Sequence, residues 1–168
     1  MLLAVDPGIV RAGFALFGSQ RLIKAGTVRV SDEGNVLERA ARMARAIKKC
    51  VGRTKVELVV EWPQVYQRVA GKTKGDPNSL LPLAAVCGAL ATSIDDVRIV
   101  RPFEWKGQVP KKTRGGANPI KLRVERRLTD SELAAIPPKM AHDGYDAIGI
   151  GLWALGRFDG RVLPGASS

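Results

Sequence analysis

The sequence predicts an α/β fold: a five-stranded mixed sheet, made of an antiparallel meander of three strands plus parallel strands, flanked by helices. Two observations carry this. Short apolar runs alternate with segments of helical periodicity along the 168 residues, the pattern of an α/β chain. The first three runs are joined by tight turns, whereas the later two are reached only after longer, helix-containing stretches, which separates hairpin pairing from parallel pairing. The length suits one domain with a substantial core, read over residues 1–157, followed at 158–168 by a Gly/Ser-containing tail expected to fray.

Residues 2–5 form a short apolar run that ends at Asp6. Pro7-Gly8 turns the chain, Pro pre-setting one central φ and Gly permitting a positive one at the next. Residues 11–17 and 22–30 alternate as strands around the turn Gly18-Ser19-Gln20-Arg21. Ser31 or Asp32 can cap a helix over 36–50, whose apolar positions Val36, Ala40, Met43, Ala44 and Ile47 recur at helical spacing. Residues 56–61 are a compact β-branched strand with Glu61 at its exit. A long loop follows at 62–78, carrying Tyr66, Arg68, Lys72 and Lys74. Asn78 or Ser79 can cap a well-buried, Ala- and Leu-rich helix over 80–93, and Pro82 is tolerated in its first turn. Residues 97–100 make another strand, 111–118 a mobile loop, and Pro119 starts a helix to about residue 128. The last helix opens at His142; its first turn bears Asp143 and Asp146, and Leu152, Trp153 and Leu155 supply a buried face.

The formal net charge of +11 points to a polyanionic partner, nucleic acid ahead of a membrane surface. Residues 98–127 hold ten basic side chains against two acids, so this stretch supplies +8 of the total. It includes Lys106, Lys111, Lys112, Arg114 and Lys121. No apolar run reaches the roughly 18 residues of a membrane span, and the opening MLLAVDPG lacks a basic n-region, so no secretory signal is read there. Cys50 and Cys87 lie in helix-like sequence without metal-finger spacing; reduced structural thiols and a cytoplasmic location are the expectation.

Against this basic background four carboxylates stand out. Asp6 and Glu61 each close a strand-like run, and in an open α/β sheet sites gather beyond the carboxyl ends of neighbouring strands. Asp143 and Asp146 lie at i and i+3 on one helical face. Each has a bland explanation, since Asp before Pro-Gly forms turns and Asp at a helix start suits the macrodipole. Together they gain force: four negative charges converge only with a cation, and oxygen-only donors suit Mg²⁺ or Mn²⁺. Two such ions about 3.5–4 Å apart can activate water and stabilise the leaving oxygen of a phosphodiester. An acidic pocket in a basic protein is a reasonable design for nucleic-acid cleavage.

Asp6-Pro-Gly with Gly13-Phe14-Ala15, then Val-Val-Glu61 followed by Gln64-Val65-Tyr66, then Asp143-x-x-Asp146-Ala-Ile, resemble in the same order the RuvC-type Holliday-junction resolvases, from about residue 2 to 157. The resemblance implies a ribonuclease H-like fold, a homodimer, and paired metal-dependent nicks in four-way DNA junctions. It implies that Asp6, Glu61, Asp143 and Asp146 are the catalytic acids holding two Mg²⁺ or Mn²⁺ ions. The helix from Leu80 is similar in position to the family's dimer helix, and Lys106 and Lys121 fall near its DNA-contacting lysines. Tyr66 is the counterpart of the aromatic that probes the junction centre, offset by Trp62-Pro63. Some of these resolvases carry His where others carry the third acid, so His142, which precedes Asp143, is a further candidate for catalysis, as acid/base or phosphate contact.

Three other readings remain open at this level. A phosphotransferase of the actin and sugar-kinase type also begins with Asp-x-Gly, but the chain is short for two duplicated halves and shows no second phosphate loop. Another ribonuclease H-like nuclease, acting on RNA–DNA hybrids or flaps, shares the fold. A non-enzymatic basic DNA-binding protein would use the acids structurally.

Overall fold

The structure, a computed structural model, describes residues 1–64, 77–107 and 118–158. The loop positions Tyr66, Arg68, Lys72 and Lys74, the basic positions Lys111, Lys112 and Arg114, and the tail from 159 to 168 lie outside the described residues.

Strands β1 (Leu2–Asp6), β2 (Arg11–Gly18), β3 (Arg21–Arg29), β4 (Glu57–Glu61) and β5 (Asp96–Val100) form a five-stranded sheet in the order β3-β2-β1-β4-β5. The β1–β2 and β2–β3 pairs are antiparallel and the β1–β4 and β4–β5 pairs parallel, which is the mixed topology the sequence predicts. The β2–β3 turn places Ser19 and Gln20 at φ of 49° and 66°. Two successive left-handed residues match the right-handed twist of a hairpin, although neither is the Gly or Asn that would adopt this geometry most cheaply.

Alternation along the strands divides the core into two layers. Leu3, Val5, Phe14, Leu16, Leu58 and Val60 face helices α1 (Val36–Val51) and α2 (Leu81–Ala91). Leu2, Ala4, Ala15, Phe17 and Val59 face α4 (Pro119–Glu125) and α6 (His142–Ala154). The central strands are therefore buried on both faces, which explains why β1 reads as an unbroken apolar run.

Several local expectations need correcting. Helix α1 is capped by Asn35, not Ser31 or Asp32: its side chain accepts from the Glu38 amide while Glu38 reaches back to the Asn35 amide. Neither Asn78 nor Ser79 is the N-cap of α2, because a 3₁₀ turn (Pro77–Leu80) leads into it and Leu80 occupies that position. Nor is α2 well buried; Val86, Cys87 and Leu90 face the core, but Leu81 and Gly88 are exposed. Helix α4 stops at Glu125, short of residue 128, and two short helices, α3 (Pro102–Trp105) and α5 (Asp130–Leu133), occupy stretches to which the sequence assigns no element. Phe158, assigned to the fraying tail, is buried, with its ring 6.3 Å from Trp105 and the Arg123 guanidinium 4.6 Å above it.

The other surprise is a buried ion pair. Glu132 on α5 is 2% exposed, and Arg157, just beyond α6, donates to both of its carboxylate oxygens at 2.7 and 2.9 Å. Glu132 also accepts from the amides of Leu22 and Thr129 and from the Thr129 hydroxyl. Arg157 in turn donates to the carbonyls of Gln20 and Arg127. This lock ties the β2–β3 turn to α5 and the end of α6. The Arg157 hydrogen bonds hold the Glu132 carboxyl well below the usual carboxylate range.

Candidate active site

The parallel register explains why two acids share one edge. Val5 pairs with Val60, so the next residues, Asp6 and Glu61, emerge side by side at the carboxyl ends of adjacent central strands. Asp6 also pairs with Gly13 on β2. A Cβ at Gly13 would lie 1.8 Å from the Asp143 carbonyl oxygen, so glycine here lets β2 pass directly against the first turn of α6. The helix thereby delivers Asp146 and Asp143 to the ends of β1 and β4.

The electrostatics report the convergence. Desolvation pushes the Asp6 carboxyl well above its ordinary pKa, repulsion from Glu61, Asp146 and Asp143 adds to this, and Lys106 opposes it. Asp146 is raised to about 6, chiefly by burial, with Lys106 opposing and Glu61 adding. Lys106 Nζ lies 3.3 Å from Glu61 Oε2 and 3.9 Å from Asp146 Oδ2. Its own burial disfavours the ammonium, but the carboxylates of Glu61, Asp146 and Asp6 outweigh that and raise its pKa. One cation thus stands among several anions.

Asp143 is held differently. It accepts from Arg11 Nε, in a charge-assisted hydrogen bond, and its other oxygen is 2.8 Å from His142 Nε2. The His142 side chain is 61% exposed, at the rim. Arg11, a strand residue with no assigned role in the sequence reading, returns to this edge because the β1–β2 hairpin folds back at Pro7-Gly8. Glu61 has an unexpected partner too: the buried Trp105 indole donates to its Oε2 at 2.6 Å. Lys106, expected on the DNA surface, lies within the acid cluster. Lys121 is on the flank, 3.8 Å from Glu125 and 5.4 Å above the Tyr145 ring. Cys87 lies beneath the site, its thiol directed at the Glu61 carbonyl oxygen at 3.7 Å. Burial pushes that thiol up to about 12, so it stays protonated at neutral pH.

No family model and no curated protein sequence matches the chain. Among solved structures, RuvC from Thermus thermophilus in complex with a Holliday-junction substrate is similar at 16% identity and a TM-score of 0.57, over 94% of this chain and 97% of that one. A second Thermus thermophilus RuvC structure is similar at 17% identity and a TM-score of 0.56, over 94% and 98%. The fold is ribonuclease H-like. The five-stranded mixed sheet flanked by helices matches that topology.

The RuvC-like scaffold raises the question of metal. Among the described residues, no three His, Cys, Asp or Glu side chains stand close enough together to enclose an ion. The donor chemistry nevertheless fits: Asp6, Glu61 and Asp146 offer oxygen only, and at Asp6 the repulsion of Glu61 and Asp146 outweighs the attraction of Lys106. A hard divalent cation answers both conditions.

Proposed function

We propose that the chain is a divalent-metal-dependent endonuclease that resolves four-way DNA junctions by paired nicks, acting as a homodimer in the cytoplasm on recombination or repair intermediates. One observation carries the reading: carboxylates remote in sequence meet at the carboxyl edge of β1 and β4, where burial first and then the repulsion of Glu61 and Asp146 raise the Asp6 pKa against the pull of Lys106. The RuvC-like fold supports it, as does the +11 charge. Among the described residues no helix is long and apolar enough to cross a membrane.

In this reading residues 1–157 form one nuclease domain, and Asp6, Glu61, Asp146 and Asp143 hold Mg²⁺ or Mn²⁺, two ions per site. The bound ions would supply a nucleophilic water and stabilise the leaving oxygen. Arg11 orients Asp143, and His142, at the rim, exchanges a proton with solvent or meets a phosphate. Lys106 holds Glu61 and Asp146 together in the metal-free protein and turns to the phosphate backbone on binding. Lys121, Arg68, Lys72, Lys74, Lys111, Lys112 and Arg114 add sequence-independent phosphate contacts, so affinity falls steeply with salt. Tyr66 enters the junction. The half-exposed face of α2 meets its counterpart in a second copy, and a two-fold pair sets two active sites for symmetric cuts.

One observation favours a second reading. Lys106 lets the acids persist without metal, as a non-enzymatic DNA-binding protein would require. Incubating the protein with a synthetic mobile junction, a linear duplex and an RNA–DNA hybrid, with Mg²⁺ or Mn²⁺ present or chelated, separates these. Metal-dependent nicking confined to the junction supports the resolvase. Cleavage of the hybrid supports a ribonuclease H activity, and junction binding without any cleavage supports the non-enzymatic protein.

A further inference from the structure

Resting on the nuclease reading, we infer that Trp105 is a positioning residue whose indole N–H sets the orientation of the Glu61 carboxylate for metal binding.

The geometry is specific. Trp105 ends the four-residue helix α3, which begins one residue after Arg101 and directly follows the edge strand β5. Glu104 Oε2 accepts from the Arg101 amide at 2.6 Å, and the Lys106 amide donates to the Pro102 carbonyl, so this single turn is closed at both ends. The turn aims the Trp105 ring inward. The ring is 0% exposed and lies against α6 at Gly149, where a Cβ would be 2.5 Å from Trp105 Cζ3. Phe158 also packs against it, ring centroids 6.3 Å apart at a tilt of 41°. A ring held this way has no freedom to follow a moving carboxylate; the carboxylate must come to it.

Glu61 does so, with Oε2 only 2.6 Å from Nε1, a short contact of the charge-assisted kind. The next residue, Lys106, brings its ammonium to the same oxygen at 3.3 Å and lies 4.8 Å above the Trp105 ring. Two consecutive side chains therefore grip one oxygen of Glu61. They differ in kind. Lys106 is a flexible cation that a metal or a phosphate can displace, whereas the neutral indole does not compete with a metal electrostatically and keeps its hold. Outer hydrogen-bond partners of metal-ligating groups are worth about 10–100-fold in metal affinity or activity.

The test compares wild type with Trp105→Phe, which keeps an aromatic ring and removes the donor. A third form carries benzothienylalanine at position 105, which has the indole shape with sulfur in place of N–H. Mn²⁺ affinity is measured on the DNA-free protein by paramagnetic resonance, beside junction cleavage under saturating and limiting DNA. Both variants are expected to weaken Mn²⁺ binding roughly tenfold or more and to lower the maximal cleavage rate by a similar factor. The half-saturating junction concentration should be unchanged. In a Glu61→Gln background, Trp105→Phe should cause no further loss of Mn²⁺ affinity. Wild-type Mn²⁺ affinity in the benzothienylalanine form, which also decides the matter should the Phe variant fold poorly, would overturn the inference. So would full additivity with Glu61→Gln. Wild-type protein that neither binds Mn²⁺ nor cleaves would instead overturn the nuclease reading, and this inference with it.

Discussion

Two regions of the molecule hold carboxylates away from bulk water, and they are built to opposite rules. Glu132 is matched: a bidentate guanidinium, two amides and a hydroxyl meet its oxygens, and its pKa is driven down. Asp6 and Asp146 are mismatched: burial drives both pKa values up, facing carboxylates add to this, and Lys106 is the cation that opposes it. Breaking a satisfied buried pair leaves an uncompensated charge and costs stability. A cluster that is only partly satisfied already carries some of that cost in the free protein, and in the proposed nuclease a bound cation would relieve it. Buried charge by itself does not separate structure from function; its degree of compensation does.

The sharpest way to break this comparison is to neutralise an acid in each region. Asp6→Asn should lower junction cleavage by at least a thousandfold, about 4 kcal/mol of barrier, while junction binding stays near wild type. Gel-based cleavage and fluorescence anisotropy read the two quantities separately. Arg157→Ala should do the reverse. It strands Glu132 and should cost about 3–5 kcal/mol of stability in urea denaturation, with the cleavage rate of the remaining folded protein little changed.

The two regions also respond to pH with opposite signs. Asp146, at about 6 against an ordinary 3.8, binds a proton more readily folded than unfolded, so the chelated protein should gain stability as pH falls from 7 towards 5. Glu132, held below its ordinary 4.5, contributes fully above that value and loses its contribution progressively as pH falls from there through its lower folded-state pKa. Denaturation curves for chelated protein should therefore show a maximum around pH 5. Asp146→Asn should reduce the neutral limb, leaving the part that the raised Asp6 contributes, and Glu132→Gln should flatten the acid limb. A smaller effect is expected at Ser19-Gln20, remote from the acids: replacement by Asn-Gly should stabilise the hairpin by about 1 kcal/mol, read from thermal melting.

Legibility from sequence divides along the same line. Strands β1, β2, β3 and β4 announce themselves because their apolar runs are bounded by turn residues, and the parallel placement of β4 follows from the helix that precedes it. Asp6 and Glu61 were visible as strand-end acids, since position in a strand is a local property. The partners of those acids were not. Trp105 and Glu61 are 44 residues apart and Arg11 and Asp143 are 132 apart, distances over which no periodicity speaks. Lys106 was legible as a basic residue, but its place between Glu61 and Asp146 depends on the single turn of α3, too short for a hydrophobic period. Glu132 drew no attention although Thr129-Asp130-Ser131-Glu132 spells a capping box, because a four-residue helix is too short to show a hydrophobic period. Its second partner, Arg157, lies beyond the end of α6 and is brought in only by packing.

The central claim is that the acids at the edge of β1 and β4 are held under-neutralised until a divalent cation joins them. Thermal melting of wild type and Asp6→Asn, each with chelator and with Mn²⁺, tests this most directly. The account predicts that chelated Asp6→Asn melts above chelated wild type, and that Mn²⁺ raises the wild-type midpoint while leaving the variant nearly unmoved. If Asp6→Asn melts below wild type in chelator, and Mn²⁺ shifts both equally, the carboxylates are structural and the account is wrong.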